Sequence, residues 1–74
     1  MMEHIAVKSK DIAIVGYDRE TQTLEVAFRS GGVYQYYDVP ESIYDKLLNA
    51  ESMGRYFNDS IKMQFRYAQK SAKK

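Results

Sequence analysis

The chain changes its hydrophobic rhythm once, at its only proline, and that change constrains the fold more than any other feature. Before Pro40 the apolar residues keep a period of two. In "TLEVAFR" (23–29), Leu24, Val26 and Phe28 alternate with Glu25, Ala27 and Arg29, the pattern of a strand with one buried face. After Pro40, Ile43, Tyr44, Leu47 and Leu48 recur at helical spacing. Strands followed by helices, rather than alternating with them, indicate an α+β domain. At 74 residues the chain makes one domain and buries only about 60% of the surface its unfolded form exposes. It has no cysteine, so neither a disulfide nor a thiolate–zinc site can supplement that small core.

The expected architecture is a three-stranded antiparallel meander (about 11–17, 23–29 and 33–38), two short helices (about 40–49 and 52–60), and an extended or helical segment over 61–67. Residues 1–67 make the domain, and 68–74 a basic, disordered tail. "DIAIVGY" (11–17) is rich in β-branched residues, and the polar "DRETQ" joins it to the next strand, with Asp18 suited to bonding its own turn. Placing Tyr17 opposite Thr23 gathers Ile12, Ile14, Leu24, Val26 and Phe28 on one side, which should face the core.

"SGG" then decides where the tyrosines of "GGVYQYYDVP" (31–40) point. A two-residue turn puts Val33, Gln35 and Tyr37 on the Phe28 face, whereas a three-residue loop with a glycine in the left-handed region puts Tyr34 and Tyr36 there. Burying Gln35 unpartnered in so small a sheet costs roughly a few kcal/mol. The longer loop is therefore expected, with both tyrosine rings in the core. With no tryptophan and three phenylalanines, the chain needs some of its seven tyrosines as core volume. Beyond them, Pro40 suits the first helical position and Glu41 the positive end of the helix dipole. Ser52 can cap the second helix, whose apolar stripe is Met53, Tyr56, Phe57 and Ile61, although Gly54 weakens it by about 1 kcal/mol relative to alanine.

Catalytic chemistry finds no support. His4 is the only histidine and lies near a loosely held terminus, and the chain has no cysteine, so Cys-His and Ser-His-Asp arrangements lack either a nucleophile or a positioned base. Asp11, Asp18, Glu20 and Glu25 fall on loops or outward strand positions, as solubilising charges do, and not in a metal-ligating cluster. Gly31 and Gly32 precede a strand, which makes them a turn and not a phosphate loop. No catalytic residue, metal, cofactor or small-molecule substrate is expected. The opening residues interrupt short apolar pieces with Glu3, Lys8, Lys10 and Asp11, unlike a signal peptide or membrane span, so a cytoplasmic protein without a membrane partner is expected. Charge is uneven: residues 1–54 carry five basic and nine acidic groups, and residues 55–74 six basic and one acidic. The basic end could face an anion.

Taken in order, "IAIVGYD", "TLEVAF", the tyrosines of "GGVYQYYDVP" and "IYDKLLNAESMGRYFNDSI" resemble the KTSC domain, over roughly residues 7–67. That module is named for the carboxyl end of some lysyl-tRNA synthetases and also occurs as a free-standing small protein. Such domains often carry two adjacent serines before the first strand; here Ser9 is followed by Lys10, which leaves no serine pair to act. The resemblance implies no activity, and implies RNA binding only through the synthetase connection. An RNA-binding surface would set aromatic rings beside basic groups. The candidates are Arg29, Arg55, Lys62 and Arg66 for phosphate, with Tyr34, Tyr36 and Tyr56 for stacking. Were Tyr34 and Tyr36 outward, they would form a two-ring platform beside Arg29. The alternative is a protein-interaction module that uses a sheet edge or the aromatic helix surface to bind a partner or itself. Asn58 either reads a ligand edge or closes a turn, and the second use is commoner.

Overall fold

A computed structural model of the chain describes residues 2–71. Five strands, β1 (Glu3–Ala6), β2 (Ile12–Asp18), β3 (Thr23–Phe28), β4 (Val33–Tyr36) and β5 (Tyr67–Ser71), form one antiparallel sheet in chain order. Helices α1 (Glu41–Leu48) and α2 (Met53–Ser60) intervene between β4 and β5 and cover one sheet face. The α+β class holds, but the expected three-stranded meander is the middle of a five-stranded sheet. Both edges escaped because neither "EHIA" nor "YAQKS" shows an apolar alternation. The expected boundary between domain and tail also moves: Ala68–Ser71 belong to β5, and the rest of the expected tail lies outside the described residues. Residues 61–65, expected within an extended or helical segment, make turns instead. The amides of Ile61 and Lys62 both donate to the Phe57 carbonyl, so α2 unwinds around the fully buried Ile61.

Register in the first hairpin differs from expectation by one residue. Asp18, not Tyr17, lies opposite Thr23, so the loop is Arg19–Gln22, with Gln22 at φ 56°. Tyr17 and Val15 therefore turn inward, and Ile14 turns out to 39% exposure. A bulge between Ile12 and Ile14 restores the alternation, so Ile12 still meets the core opposite Phe28. The Asp18 turn is as expected, its Oδ1 accepting from the Glu20 amide at 2.9 Å.

The second hairpin has the longer loop. The Phe28 amide donates to the Gly32 carbonyl and the Gly31 amide to the Phe28 carbonyl, each at 2.9 Å, which leaves Arg29, Ser30 and Gly31 in the loop. Gly31 sits at φ 114°, where a side chain is strained. Tyr36 then pairs with Leu24 and Tyr34 with Val26, and both rings point toward the helices.

The helices follow the apolar pattern, with Tyr44, Leu47, Met53 and Phe57 buried against the sheet. Ser52 caps α2 by accepting from the Arg55 amide at 3.3 Å. Pro40 stands one position earlier than expected: it is extended (φ −62°, ψ 149°) and acts as the N-cap, its carbonyl accepting from Ile43 and Tyr44. Gly54 lies under the exposed Asp11 side chain; a Cβ there would lie 2.9 Å from Asp11 Oδ2. At the far end of the core, the Tyr17 hydroxyl donates to the Val39 carbonyl and its ring stacks on Tyr44 at 4.8 Å.

Candidate binding cleft

The hairpin register that turns Tyr34 and Tyr36 inward also builds a cleft of about 320 Å³ between β4, β5 and α2. Its wall is a closed circuit of five aromatic rings. Phe28 meets Tyr34 at 5.8 Å, Tyr34 meets Tyr67 at 5.9 Å, and Tyr67 meets Tyr36 at 5.4 Å. Tyr36 meets Phe57 edge-on at 5.2 Å, and Phe57 returns to Phe28 at 5.3 Å. Separations and tilts of this kind are those of favourable aromatic pairs, so the circuit braces itself. One side stays open: Tyr67 is 57% exposed and Met63 82%, and both sit at the mouth.

The polar groups of the cleft are unevenly matched. Tyr36 is 3% exposed, and burial first, then the nearby Tyr67 and Tyr34, push its phenol up to about 12. It therefore remains a neutral hydroxyl at any physiological pH. Among the described residues no group hydrogen-bonds that hydroxyl, and its oxygen is not sealed from solvent, so it opens into the cleft. Asn58 and Lys62 line the cleft from α2 and the turn after it, and among the described residues Lys62 has no ion pair. Among the described residues no carboxylate lines the cleft. A larger groove of about 480 Å³ runs between the β1–β2 loop and the start of α2, but its serines are already used, Ser9 by the Asp11 and Ile12 amides and Ser52 as the α2 cap.

Of the candidate site residues, the fold brings Tyr34, Tyr36 and Lys62 together and disperses the rest. Arg29 donates through Nε to the Ser9 carbonyl at 2.6 Å and through Nη2 to the Val7 carbonyl at 3.1 Å, which pins the β1–β2 loop. Arg66 pairs with Asp38 at 3.1 Å and lies over the Tyr37 ring. Arg55 faces Asp59 one helical turn on, and it borders a shallow hollow with Tyr56 on another side of α2. The two-ring platform weighed for the outer sheet face does not exist, since that face carries Gln35 between the tyrosines. Sequence reasoning missed Tyr67 because its place opposite Tyr36 depends on a strand pairing across residues 37–66. Asn58 closes no turn; it lies inside α2 with its side chain at the cleft, where the spacing from Phe57 and Ile61 was the available signal.

The outer face of the sheet is uncovered and holds a second polar arrangement. His4, Gly16, Glu25 and Gln35 fall in one row across β1 to β4. His4 Nε2 lies 2.8 Å from one Glu25 oxygen, and Gln35 Nε2 donates to the other at 2.8 Å. Gly16 permits this reach, because a Cβ there would stand 2.7 Å from the His4 ring. The Gln35 hydrogen bond, with a smaller part from His4, holds the Glu25 carboxyl below its ordinary range against the opposing effect of burial. Glu25 is outward, as expected, but partnered, and His4 belongs to an edge strand rather than a loose end. Among the described residues no cluster of three or more metal-ligating side chains forms, and no helix is long and apolar enough to cross a membrane.

Residues 8–65 match the family model of the KTSC domain. The chain belongs to the KTSC domain family. Its sheet and helices superpose on the crystal structure of a KTSC domain protein from Yersinia pestis with a TM-score of 0.92 and 37% identity, covering 96% of this chain and all of that one. A free-standing relative, an uncharacterised protein of Stutzerimonas stutzeri, is 45% identical over 67 residues, which are 89% of this chain and 94% of the relative. The domain also occurs in larger proteins: a lysine–tRNA ligase of Nostoc punctiforme is 47% identical over 55 residues, which span 74% of this chain and 10% of the ligase. The "VYQY" strand and "YFN" helix segment that carry the family resemblance contribute Tyr34, Tyr36, Phe57 and Asn58 to the cleft lining.

Proposed function

We propose that this KTSC domain is a non-enzymatic module that binds single-stranded RNA weakly and with little sequence preference, through the five-ring cleft. The observation that carries this reading is an aromatic wall open to solvent beside a lysine that has no ion pair among the described residues. Rings and a cation side by side are what unstacked bases and their phosphates require. The occurrence of the domain in lysine–tRNA ligases, whose name specifies a tRNA, supports the same direction. Arg29 and Arg66 are held by the fold, so phosphate contacts near the cleft are few. Binding of a labelled single-stranded RNA should then fall with salt at a log–log slope of about −0.7 to −1.4, one or two contacts' worth. Lys62→Ala should flatten that slope, whereas Arg55→Ala should not. Absence of binding in low salt, or binding indifferent to both Lys62→Ala and Tyr67→Ala, would count against the reading. A protein partner is the second reading, and one feature favours it: Ala6, Ile14, Ala27 and Val33 make an apolar row across the uncovered sheet face. Binding there would change little with salt.

A further inference from the structure

We infer that the cleft is a single-nucleotide site, which takes one unstacked uracil ring against the aromatic wall, with its carbonyl on the Tyr36 hydroxyl and the adjoining phosphate on Lys62. The inference rests on the RNA-binding reading and gives it a ligand. Three features of the cleft lead to it. The first is size: about 320 Å³ is at the low end of small-molecule clefts, room for one ring system and a substituent but not for a stacked run of bases. The second is the Tyr36 hydroxyl, on a residue only 3% exposed that lines the cleft, without a hydrogen-bond partner among the described residues. In the empty cleft this hydroxyl reaches water, so an occupant that covers it must offer an acceptor in exchange or leave it unsatisfied at a cost. The third is the sign of the lining: Lys62, the Asn58 amide and tyrosine hydroxyls supply donors, and among the described residues no carboxylate joins them.

These features exclude the other common tenant of an aromatic box. A quaternary or methylated ammonium needs rings without a competing cation and gains from a nearby carboxylate. Here Lys62 would repel it, and no acid among the described residues lines the cleft to compensate. An anionic planar ligand meets the opposite conditions. Uracil offers two carbonyl acceptors, whereas cytosine replaces one of them with an amino donor, so a donor-rich floor discriminates between the two. The discrimination is modest, because a hydroxyl can also accept.

Titration of the isotope-labelled full chain with uridine 5′-monophosphate, cytidine 5′-monophosphate, uridine and inorganic phosphate, followed by amide chemical shifts, tests this directly. The uridine nucleotide is expected to shift amides of β4, β5 and α2 at millimolar concentration, about three- to tenfold more tightly than either uridine or the cytidine nucleotide. Tyr36→Phe, which keeps the ring and so the wall, should abolish the preference for uracil over cytosine. Lys62→Ala should abolish the advantage of the nucleotide over the nucleoside. Equal affinity for both nucleotides in the unmodified chain, or shifts centred on the outer row of His4, Glu25 and Gln35, overturns the inference. If oligouridine binds while the mononucleotide leaves the cleft unperturbed, the single-nucleotide site is refuted and the RNA reading survives. If the mononucleotide binds the cleft and no oligonucleotide binds in low salt, the site stands and the RNA reading falls.

Discussion

Gly31 and Gly32 are adjacent and chemically identical, yet replacing each by alanine should act on a different property. Gly31 sits at φ 114°, and an L-residue held in such a region costs about 1–3 kcal/mol. Alanine recovers about 0.4–1 kcal/mol of that by restricting the unfolded chain. The net destabilisation is about 1–2 kcal/mol, or about 4–16 °C in melting temperature for a domain of this size. Gly32 has no positive φ; its added Cβ would lie 3.1 Å from Cε1 of Tyr34, a half-buried ring that can move a few tenths of an ångström. Stability should therefore change by less than about 0.5 kcal/mol. The displaced ring belongs to the cleft wall, however, so Gly32→Ala should weaken ligand binding several-fold. Urea unfolding followed by far-ultraviolet circular dichroism reads the first effect as a lower midpoint at unchanged slope, and a binding titration reads the second. A Gly31→Ala midpoint equal to that of the unmodified chain would refute the three-residue loop, and with it the argument that sets the tyrosine register.

Alkali should unfold the domain early. Tyr36 is pushed from 10.0 up to about 12 and Tyr17 and Tyr44 are raised, chiefly by burial. The folded state then holds protons that the unfolded chain releases, so stability is full below pH 10 and declines as pH rises toward 12. Urea midpoints across that range should fall, and Tyr36→Phe should reduce the fall; a flat profile contradicts the burial of these phenols. Glu25 behaves in the reverse sense. Its carboxyl is held below 4.5, so its contribution is present above that value and lost as pH drops through the lower folded value. Gln35→Leu, which removes the largest cause, should leave stability less sensitive to acid, measurable as a smaller midpoint change between about pH 6 and pH 3. Gly54→Ala should be neutral or stabilising by up to about 1 kcal/mol, since the exposed Asp11 carboxylate can rotate away and the helix gains propensity. A loss greater than about 1 kcal/mol would mean that Asp11 is fixed.

The parts of the fold that were legible in the sequence are those set by local chemistry. Alternation in "TLEVAF", helical spacing after Pro40 and the Ser52 cap each reach only a few residues, and each holds. The side of the sheet occupied by Tyr34 and Tyr36 was legible too, because the cost of burying Gln35 made one loop length preferable. The structure adds that Gln35 finds a partner in Glu25 on the other face. Register in the first hairpin was not legible: Asp18–Thr23 and Tyr17–Thr23 pairings both bury a good apolar set, and the bulge that lets Ile12 join Val15 and Tyr17 leaves no composition mark. Of the candidate site, "YQY" and Lys62 could be named from local pattern. Tyr67 could not, since its contribution arises from pairing across two helices, and the arginines drew attention by charge while the fold uses Arg29 and Arg66 to fasten its own loops.

That last pairing gives the cleft a stability of its own. Tyr67 reaches Tyr34 and Tyr36 only while β5, bonded among the described residues to β4 alone, stays zipped to it. An edge strand opens far more often than the sheet behind it, by local rather than global unfolding. Each such opening removes one wall of the cleft and leaves the meander and both helices in place. Any occupant that touches rings from both strands must act as a clasp across this seam, and it will slow hydrogen exchange most in the amides of β5. Exchange rates along one strand therefore report occupancy of the cleft, whatever the occupant proves to be.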